Sequence, residues 1–162
     1  MKKHLLIPLM VFAVMLGILY TPNVKAPTEK EKQETLAVEA HQVKLEKVVA
    51  YLQTKNSPLT RQEVSLLVKQ KHGDLLIAIS AIESQYCKHQ LGYNCWGIGG
   101  DSAYRHYKNF SEAIIDANNL IEKWQARGRW LTVEDMNCHY VQPCNENWVR
   151  TVNKVLQDIE SF

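Results

Sequence analysis

The stretch Leu75–Tyr86 reads LLIAISAIESQY. Its large apolar side chains recur at intervals of three and four residues, the spacing of one face of an α-helix: Leu75, Leu76, Ile79, Ile82 and Tyr86. Gly73 is typical of the end of a preceding helix, and Asp74 is a suitable N-cap for the next one. The pattern therefore predicts a strongly buried helix.

Glu83 is unusual because it continues the apolar stripe of Leu76 and Ile79 at a spacing of four residues. It also lies near the end of the helix, where the helix dipole disfavours a negative charge by about 0.3–1 kcal/mol. Partial burial favours the protonated form as well, so both effects are expected to raise its pKa. A carboxyl group that stays protonated near neutral pH suits general acid catalysis. The alternative is a side chain that simply extends into solvent.

The segment from Cys87 to Lys108 has no helical period, which predicts an ordered loop with short extended pieces. It contains the glycine-rich stretch Gly97–Gly100 and a cluster of side chains with flat faces or polar tips: Tyr93, Asn94, Trp96, Tyr104 and Tyr107. Together these residues predict a shaped groove suited to sugar rings, although each alone is equally compatible with ordinary packing.

The rest of the chain is predicted to be nearly all helical. Glu29–Gln53 lacks Gly and Pro, which predicts a long helix, either a coiled-coil stalk or, as its short repeat favours, a helix packed on the domain. Further helices are indicated by a Thr60–Glu63 capping box, by Ser111–Arg127 followed by Gly128, by Thr132 with Asp135, and by the apolar series from Trp148 to Ile159.

The N-terminus combines Lys2 and Lys3 with an apolar run from Leu5 to Tyr20. This order is typical of an export signal or a single membrane anchor. Pro27 follows a cleavage-like site and disfavours cleavage, so an uncleaved anchor is preferred over a cleaved signal. The order of basic flank, apolar run and small-residue site disfavours the other alternative, a buried core helix. The sequence thus predicts an anchor and tether over residues 1–28, a helical stalk or packing helix over 29–56, and a mainly α domain over 57–162.

The four cysteines are even in number and lie in loop-like segments, which favours disulfides and an oxidising compartment. Three pairings are available, and short loop closure favours Cys87 with Cys95 and Cys138 with Cys144. Zinc is the alternative, but the spacing lacks paired metal-ligand motifs. A net charge of +2 without a long basic tract gives no indication of nucleic acid as a partner.

Two motifs, IESQY at Ile82–Tyr86 and NCWGI at Asn94–Ile98, resemble those of the lysozyme-like superfamily of peptidoglycan-cleaving domains, in particular lytic transglycosylases of the soluble type. The segment Tyr104–Tyr107 with Phe110 resembles the aromatic pattern that opens the next helix in that family. Tyr140 and Trp148 resemble its later Tyr and Trp, and the similarity extends over roughly residues 59–159.

The resemblance implies a lysozyme-like helical domain in which Glu83 is the catalytic acid and base and Tyr140 a polar neighbour of the reaction centre. It implies that Ser84 helps to hold the groove and that Trp96, Gly97 and Ile98 form a subsite wall. Tyr93, Asn94, Tyr104 and Tyr107 complete the predicted substrate-binding set. Neither a cofactor nor a metal is implied.

The chain departs from the family where a Gly-Leu-Met-Gln motif is replaced by NCWGI, which is closer to glucosaminidase-like or phage-type members. Inverting hydrolysis needs a second carboxylate, whereas substrate-assisted chemistry by the sugar's acetamido group does not. The candidates for a second carboxylate are Asp101, a loop-cap residue, and Asp116, on the exposed side of a helix.

The expected activity is cleavage of the β-1,4 bond between N-acetylmuramic acid and N-acetylglucosamine in the cell envelope, by a protein that is membrane-anchored or secreted. The alternatives are an endo-β-N-acetylglucosaminidase, a non-catalytic peptidoglycan-binding module of an envelope-spanning secretion or conjugation complex, and a disulfide-stapled structural domain.

Overall fold

The computed structural model describes residues 26–100 and 103–162 and is mainly helical, as the sequence predicts. The described part contains the helices α1 (Glu29–Thr54), α2 (Arg61–Lys69), α3 (Gly73–Ser84), α4 (Phe110–Gln125), α5 (Val133–Met136) and α6 (Glu146–Ser161). The strands β1 (Gly99–Gly100) and β2 (Ala103–Tyr104) pair antiparallel, with Gly99 opposite Tyr104. These strands are the short extended pieces expected in the loop region.

The chain divides into two compact units, Met1–Ala37 and Val38–Phe162. In the first unit, the described residues 26–37 are exposed, and Glu31 accepts hydrogen bonds from the backbone N–H and the hydroxyl of Thr28 at the start of α1. The predicted anchor falls within residues 1–25 and lies outside the described part. Within that part, none of the helices has the length and apolar character needed to span a membrane.

The second unit is built around α3, which contacts α2, α4 and α6. Leu76, Ile77, Ala78 and Ile79 are each at most 1% exposed. Because α3 is apolar on all sides over these residues, it lies between its neighbours instead of presenting one face to solvent. Full burial of each large aliphatic side chain stabilises the fold by about 1.5–3 kcal/mol.

The C-terminal half of α1 is part of this core, since Leu45, Val48, Tyr51 and Leu52 are buried. The hydroxyl groups of Tyr51 and Tyr86 lie 3.0 Å apart, which ties α1 to the segment that follows α3. The helix therefore packs on the domain over these residues.

Helix caps fall where the sequence predicts them, with one exception. Thr60 with Glu63 and Thr132 with Asp135 form capping boxes. However, Gly73 is the first residue of α3 and not the end of α2, and Asp74 lies in the first turn. The physical reason is steric, because a Cβ atom on Gly73 would lie 2.2 Å from the Leu67 carbonyl oxygen.

Both predicted disulfides are confirmed, Cys87 with Cys95 and Cys138 with Cys144. The first bond is buried, whereas the second joins exposed residues. Disulfides persist in oxidising environments, so the two bonds point to an extracytoplasmic location.

Candidate active site

The chain leaves α3 through a left-handed turn placed directly after Glu83 and Ser84. Gln85, Tyr86 and Cys87 have φ angles of 50°, 61° and 70°. For residues other than glycine this region costs about 1–2 kcal/mol each. The surrounding contacts must therefore hold the turn, and the disulfide between Cys87 and Cys95 closes it on one side.

Ser84 provides the second restraint on this turn. Its hydroxyl donates to the Cys95 carbonyl at 2.8 Å and accepts from the Cys87 backbone N–H at 3.1 Å. The residue is only 4% exposed, so these hydrogen bonds form away from water. Ser84 thus fastens the end of α3 to the loop that follows.

Asn94 organises that loop. Its amide nitrogen donates to the Ile98 carbonyl at 2.6 Å, and its oxygen accepts from the Ile98 backbone N–H at 3.0 Å. A second donated bond of 3.0 Å reaches the Arg105 carbonyl and joins the two arms of the hairpin region. The tight bend that results contains Gly97 at a φ of +62°, a conformation that favours glycine.

A cavity of about 660 Å³ opens beside this bend. Its volume is within the range of small-ligand sites. Residues from the hairpin region, from α4 and the loop that follows it, and from the segment around the second disulfide form its wall: Gly97, Ile98, Gly99, Ala103, Tyr104, Leu120, Trp130, His139, Tyr140 and Gln142.

The carboxyl group of Glu83 lies next to Gly97, which lines this cavity, although Glu83 itself is not one of the lining residues. A Cβ atom on Gly97, which lines the cavity, would be 3.1 Å from Oε2 of Glu83. The other oxygen, Oε1, accepts a hydrogen bond of 2.9 Å from the indole N–H of Trp148 on α6. Because Gly97 lacks a side chain, the carboxyl group stands against its backbone.

The pKa of Glu83 is raised above its ordinary value of 4.5 because the surrounding protein partly desolvates the carboxyl group. The hydrogen bond from Trp148 acts in the opposite direction but is the smaller effect. The residue as a whole is nevertheless exposed, so a ligand in solution can reach it. Glu83 therefore combines accessibility with a preference for the protonated state.

Tyr140 lies between two tryptophan rings on the cavity wall. Its ring centroid is 5.6 Å from those of Trp130 and Trp148, and its hydroxyl donates to the Trp96 carbonyl. Burial raises the pKa of Tyr140 well above 10, and the negative charge of Glu83 raises it further. The phenol therefore stays neutral, with its proton directed at the backbone carbonyl of Trp96.

The structure divides the predicted substrate-binding residues into three groups. Gly97, Ile98 and Tyr104 line the cavity together with the predicted catalytic residue Tyr140. Tyr93 packs edge-on against Phe110, with ring centroids 5.1 Å apart, and does not line the cavity.

Tyr107 does not line this cavity either. Its hydroxyl donates to Asp116 at 2.7 Å, and it lines a separate cavity of about 490 Å³. Asp116 also pairs with Arg105 at 2.6 Å, so its carboxylate is engaged, and Asp101 lies outside the described residues.

Ser84, Asn94 and Trp96 are buried and do not line the cavity, so their inclusion in the predicted substrate-binding set needs correction. The indole N–H of Trp96 donates to the Leu76 carbonyl at 2.8 Å, which places the ring in the core beneath the cavity. Trp96 contributes its backbone carbonyl to Tyr140 instead of a ring face to a ligand. All three residues hold the loop beside the cavity through hydrogen bonds and do not line the cavity themselves.

Several contributors to the candidate site were not predicted from the sequence. Trp148, expected only to pack the last helix, directs its indole N–H at Glu83. Trp130, His139 and Gln142 line the cavity from segments without periodic pattern. The only available signal was the proximity of His139 and Gln142 to Tyr140 between two cysteines.

Among the residues that the structure describes, no group of three or more His, Cys, Asp or Glu side chains is arranged to hold a metal ion. Comparison of the chain with protein-family models, with curated proteins and with solved structures gives no match.

Proposed function

We propose that this protein is a lysozyme-like enzyme that cleaves the glycan strands of peptidoglycan, with Glu83 as its acid and base. The observation that carries the proposal is the accessible Glu83 carboxyl group, whose pKa is raised by burial and which adjoins an aromatic-lined cavity. Aromatic faces beside polar tips suit the apolar and hydroxyl surfaces of sugar rings. The resemblance of the IESQY and NCWGI motifs supports the same function.

In the proposed reaction, protonated Glu83 donates its proton to the oxygen between N-acetylmuramic acid and N-acetylglucosamine as the C–O bond breaks. The acetamido oxygen of the muramic acid residue bonds to its anomeric carbon and takes up the developing positive charge. The Glu83 carboxylate then removes a proton from the attacking hydroxyl group, whose oxygen bonds to the anomeric carbon as the bond from that carbon to the acetamido oxygen breaks. This route uses one carboxyl group, in keeping with the engagement of Asp116 by Arg105 and Tyr107.

The attacking hydroxyl group decides the product. The sugar's own 6-hydroxyl gives a 1,6-anhydro ring, as in a lytic transglycosylase, whereas water gives the reducing sugar of a muramidase. We propose the former, on the family resemblance. The neutral phenol of Tyr140 is suited to accept a hydrogen bond from a sugar hydroxyl beside the reaction centre.

We further propose that the protein works in the cell envelope. The two disulfides support an oxidising, extracytoplasmic environment. The apolar N-terminal run supports attachment to the membrane or secretion, which would place the enzyme at the strands around an envelope-spanning secretion or conjugation complex.

The test is the release of soluble muropeptides from purified sacculi by the disulfide-bonded protein, analysed by mass spectrometry. Anhydro products are lighter by one water than hydrolysis products. Glu83→Gln should reduce release by about 10²–10⁴-fold, the usual contribution of general acid catalysis, while binding to sacculi is retained. Glu39→Gln removes the same charge from an exposed position on α1 and is the matched control.

Wild-type protein that binds sacculi and releases nothing would overturn cleavage and favour a non-catalytic binding module. Protein that neither binds nor cleaves would favour a structural domain.

A further inference from the structure

Two arginines lie over one tryptophan ring, which packs against the cavity-lining Trp130. The guanidinium carbons of Arg127 and Arg129 are each 5.4 Å from the ring centroid of Trp124. The backbone N–H groups of both arginines donate to the Trp124 carbonyl, at 3.1 and 3.0 Å, as the chain reverses at Gly128. The backbone thus brings two positive charges onto the same indole.

These charges are available to a ligand. Both arginines are exposed, and within the described ranges neither forms an ion pair or a side-chain hydrogen bond. Stacking on an aromatic ring orders a guanidinium group while its N–H donors stay free. A preorganised guanidinium group of this kind binds carboxylates through paired hydrogen bonds.

Aromatic side chains that contact one another lead from the arginines to the candidate active site. Trp124 lies 5.3 Å from Trp130, which lines the cavity and is itself 5.6 Å from Tyr140. The two guanidinium groups therefore lie one ring beyond the cavity-lining Trp130. Carboxylate-bearing substituents are the anionic groups that a glycan strand extending from the cavity past Trp130 carries.

We propose that Arg127 and Arg129, ordered by Trp124, bind carboxylate groups carried by the glycan strand, and so favour these strands over neutral N-acetylglucosamine polymers. The inference rests on the proposed function, because it takes the cavity to hold a glycan. The carboxylates have two sources, the peptide stems and the lactyl groups that become free when the stems are removed.

The test measures binding by the Glu83→Gln protein, which prevents turnover, to three probes. These are glycan strands with peptide stems, strands from which an amidase has removed the stems, and neutral N-acetylglucosamine oligosaccharides. Adding Arg127→Gln and Arg129→Gln should weaken binding to the carboxylate-bearing strands about tenfold, as expected for the loss of charge-assisted hydrogen bonds. Binding to the neutral oligosaccharide should be unchanged, and the difference should shrink at high salt.

A purely structural role would give a different result, since cations near the end of α4 also interact favourably with the helix dipole. That role would lower thermal stability without selecting among the probes. The matched control is Lys69→Gln with Lys71→Gln, which removes two exposed charges elsewhere and should bind all three probes like the parent. Arg127→Lys with Arg129→Lys keeps the charges but loses the paired geometry, and should restore part of the binding.

Loss confined to one carboxylate-bearing probe would identify the source of the carboxylate and support the proposal. Equal binding of all probes by the arginine variant and its parent would overturn it, as would equal weakening for all three. If wild-type protein releases no muropeptide but shows arginine-dependent binding, the carboxylate site stands and the cleavage proposal fails. If it binds none of the probes, both fail.

Discussion

The indole N–H of Trp148 donates a 2.9 Å hydrogen bond to Oε1 of Glu83, joining two residues that are 65 positions apart in the chain. The bond stabilises the carboxylate form, whereas burial stabilises the acid form, and burial is the stronger effect. Trp148 therefore limits the rise in the pKa of Glu83 and orients its carboxyl group.

Trp148→Phe should raise the pH at which the cleavage rate falls on the alkaline side of its pH–rate profile. The substitution keeps an aromatic ring against Tyr140 but removes the donor that lowers the pKa of Glu83. Because the acid must be protonated, the rate falls as pH rises through that pKa. The measurement is the initial rate of muropeptide release across pH. Trp96→Phe, which removes a buried N–H bonded to Leu76, is the control and should leave this pH unchanged.

Glu83→Gln should stabilise the fold, relative to wild type, more at neutral than at acidic pH. The folded-state pKa of Glu83 is raised, so the folded state binds the proton more tightly than the unfolded state. The wild type therefore loses stability as pH rises from about 4.5, the ordinary value, through the raised pKa. Urea unfolding of both proteins, from about pH 4.5 to neutral pH, measures the difference between their free energies of unfolding. A difference that does not change with pH would contradict the raised pKa.

Gly97→Ala should abolish most of the activity. Its φ of +62° makes any side chain costly by about 1–2 kcal/mol, and the new methyl group would lie 3.1 Å from Oε2 of Glu83. Gly128→Ala is the matched control, because Gly128 has a φ of +69° and no atom within 4 Å of the position that its new methyl group would take. Both variants should lose similar stability in thermal unfolding, but only Gly97→Ala should displace the carboxyl group. Equal rates for the two variants would refute the contact.

Ser84→Ala should destabilise the protein by about 1–3 kcal/mol, the cost of leaving buried partners without hydrogen bonds. The substitution removes the donor to the Cys95 carbonyl and the acceptor for the Cys87 N–H. Ser80→Ala is the control, since the Ser80 hydroxyl is equally buried but donates only to the Ile77 carbonyl within the same helix. Denaturant unfolding compares the two, and a smaller loss for Ser84→Ala would contradict its role in holding the turn.

The helices could be predicted because the residues that determine each helix lie close together in the sequence. Periodic apolar residues and the Thr60–Glu63 and Thr132–Asp135 capping boxes act within one or two turns of the chain. The failure at Gly73 has a tertiary cause, the close approach of the Leu67 carbonyl, which a glycine at a helix boundary does not reveal by itself.

The candidate site was predictable only in part. Glu83 was identified because a carboxyl group on an apolar stripe conflicts with ordinary burial preferences. The inward orientation of Trp96 could not be predicted, because an aromatic residue in a loop is compatible with either the core or a cavity wall. The contact between Trp148 and Glu83 depends on how α6 packs against α3, which no local pattern encodes.

The two disulfides close two loops next to residues that line the cavity, one ending at Cys95 beside Trp96 and Gly97 and the other enclosing His139, Tyr140 and Gln142. Before these bonds form, the strained turn after Glu83 and the wall around Tyr140 lack their covalent closure. Completion of the site is thereby linked to an oxidising environment, because in a reduced chain the turn after Glu83 and the segment around Tyr140 are held by noncovalent contacts alone.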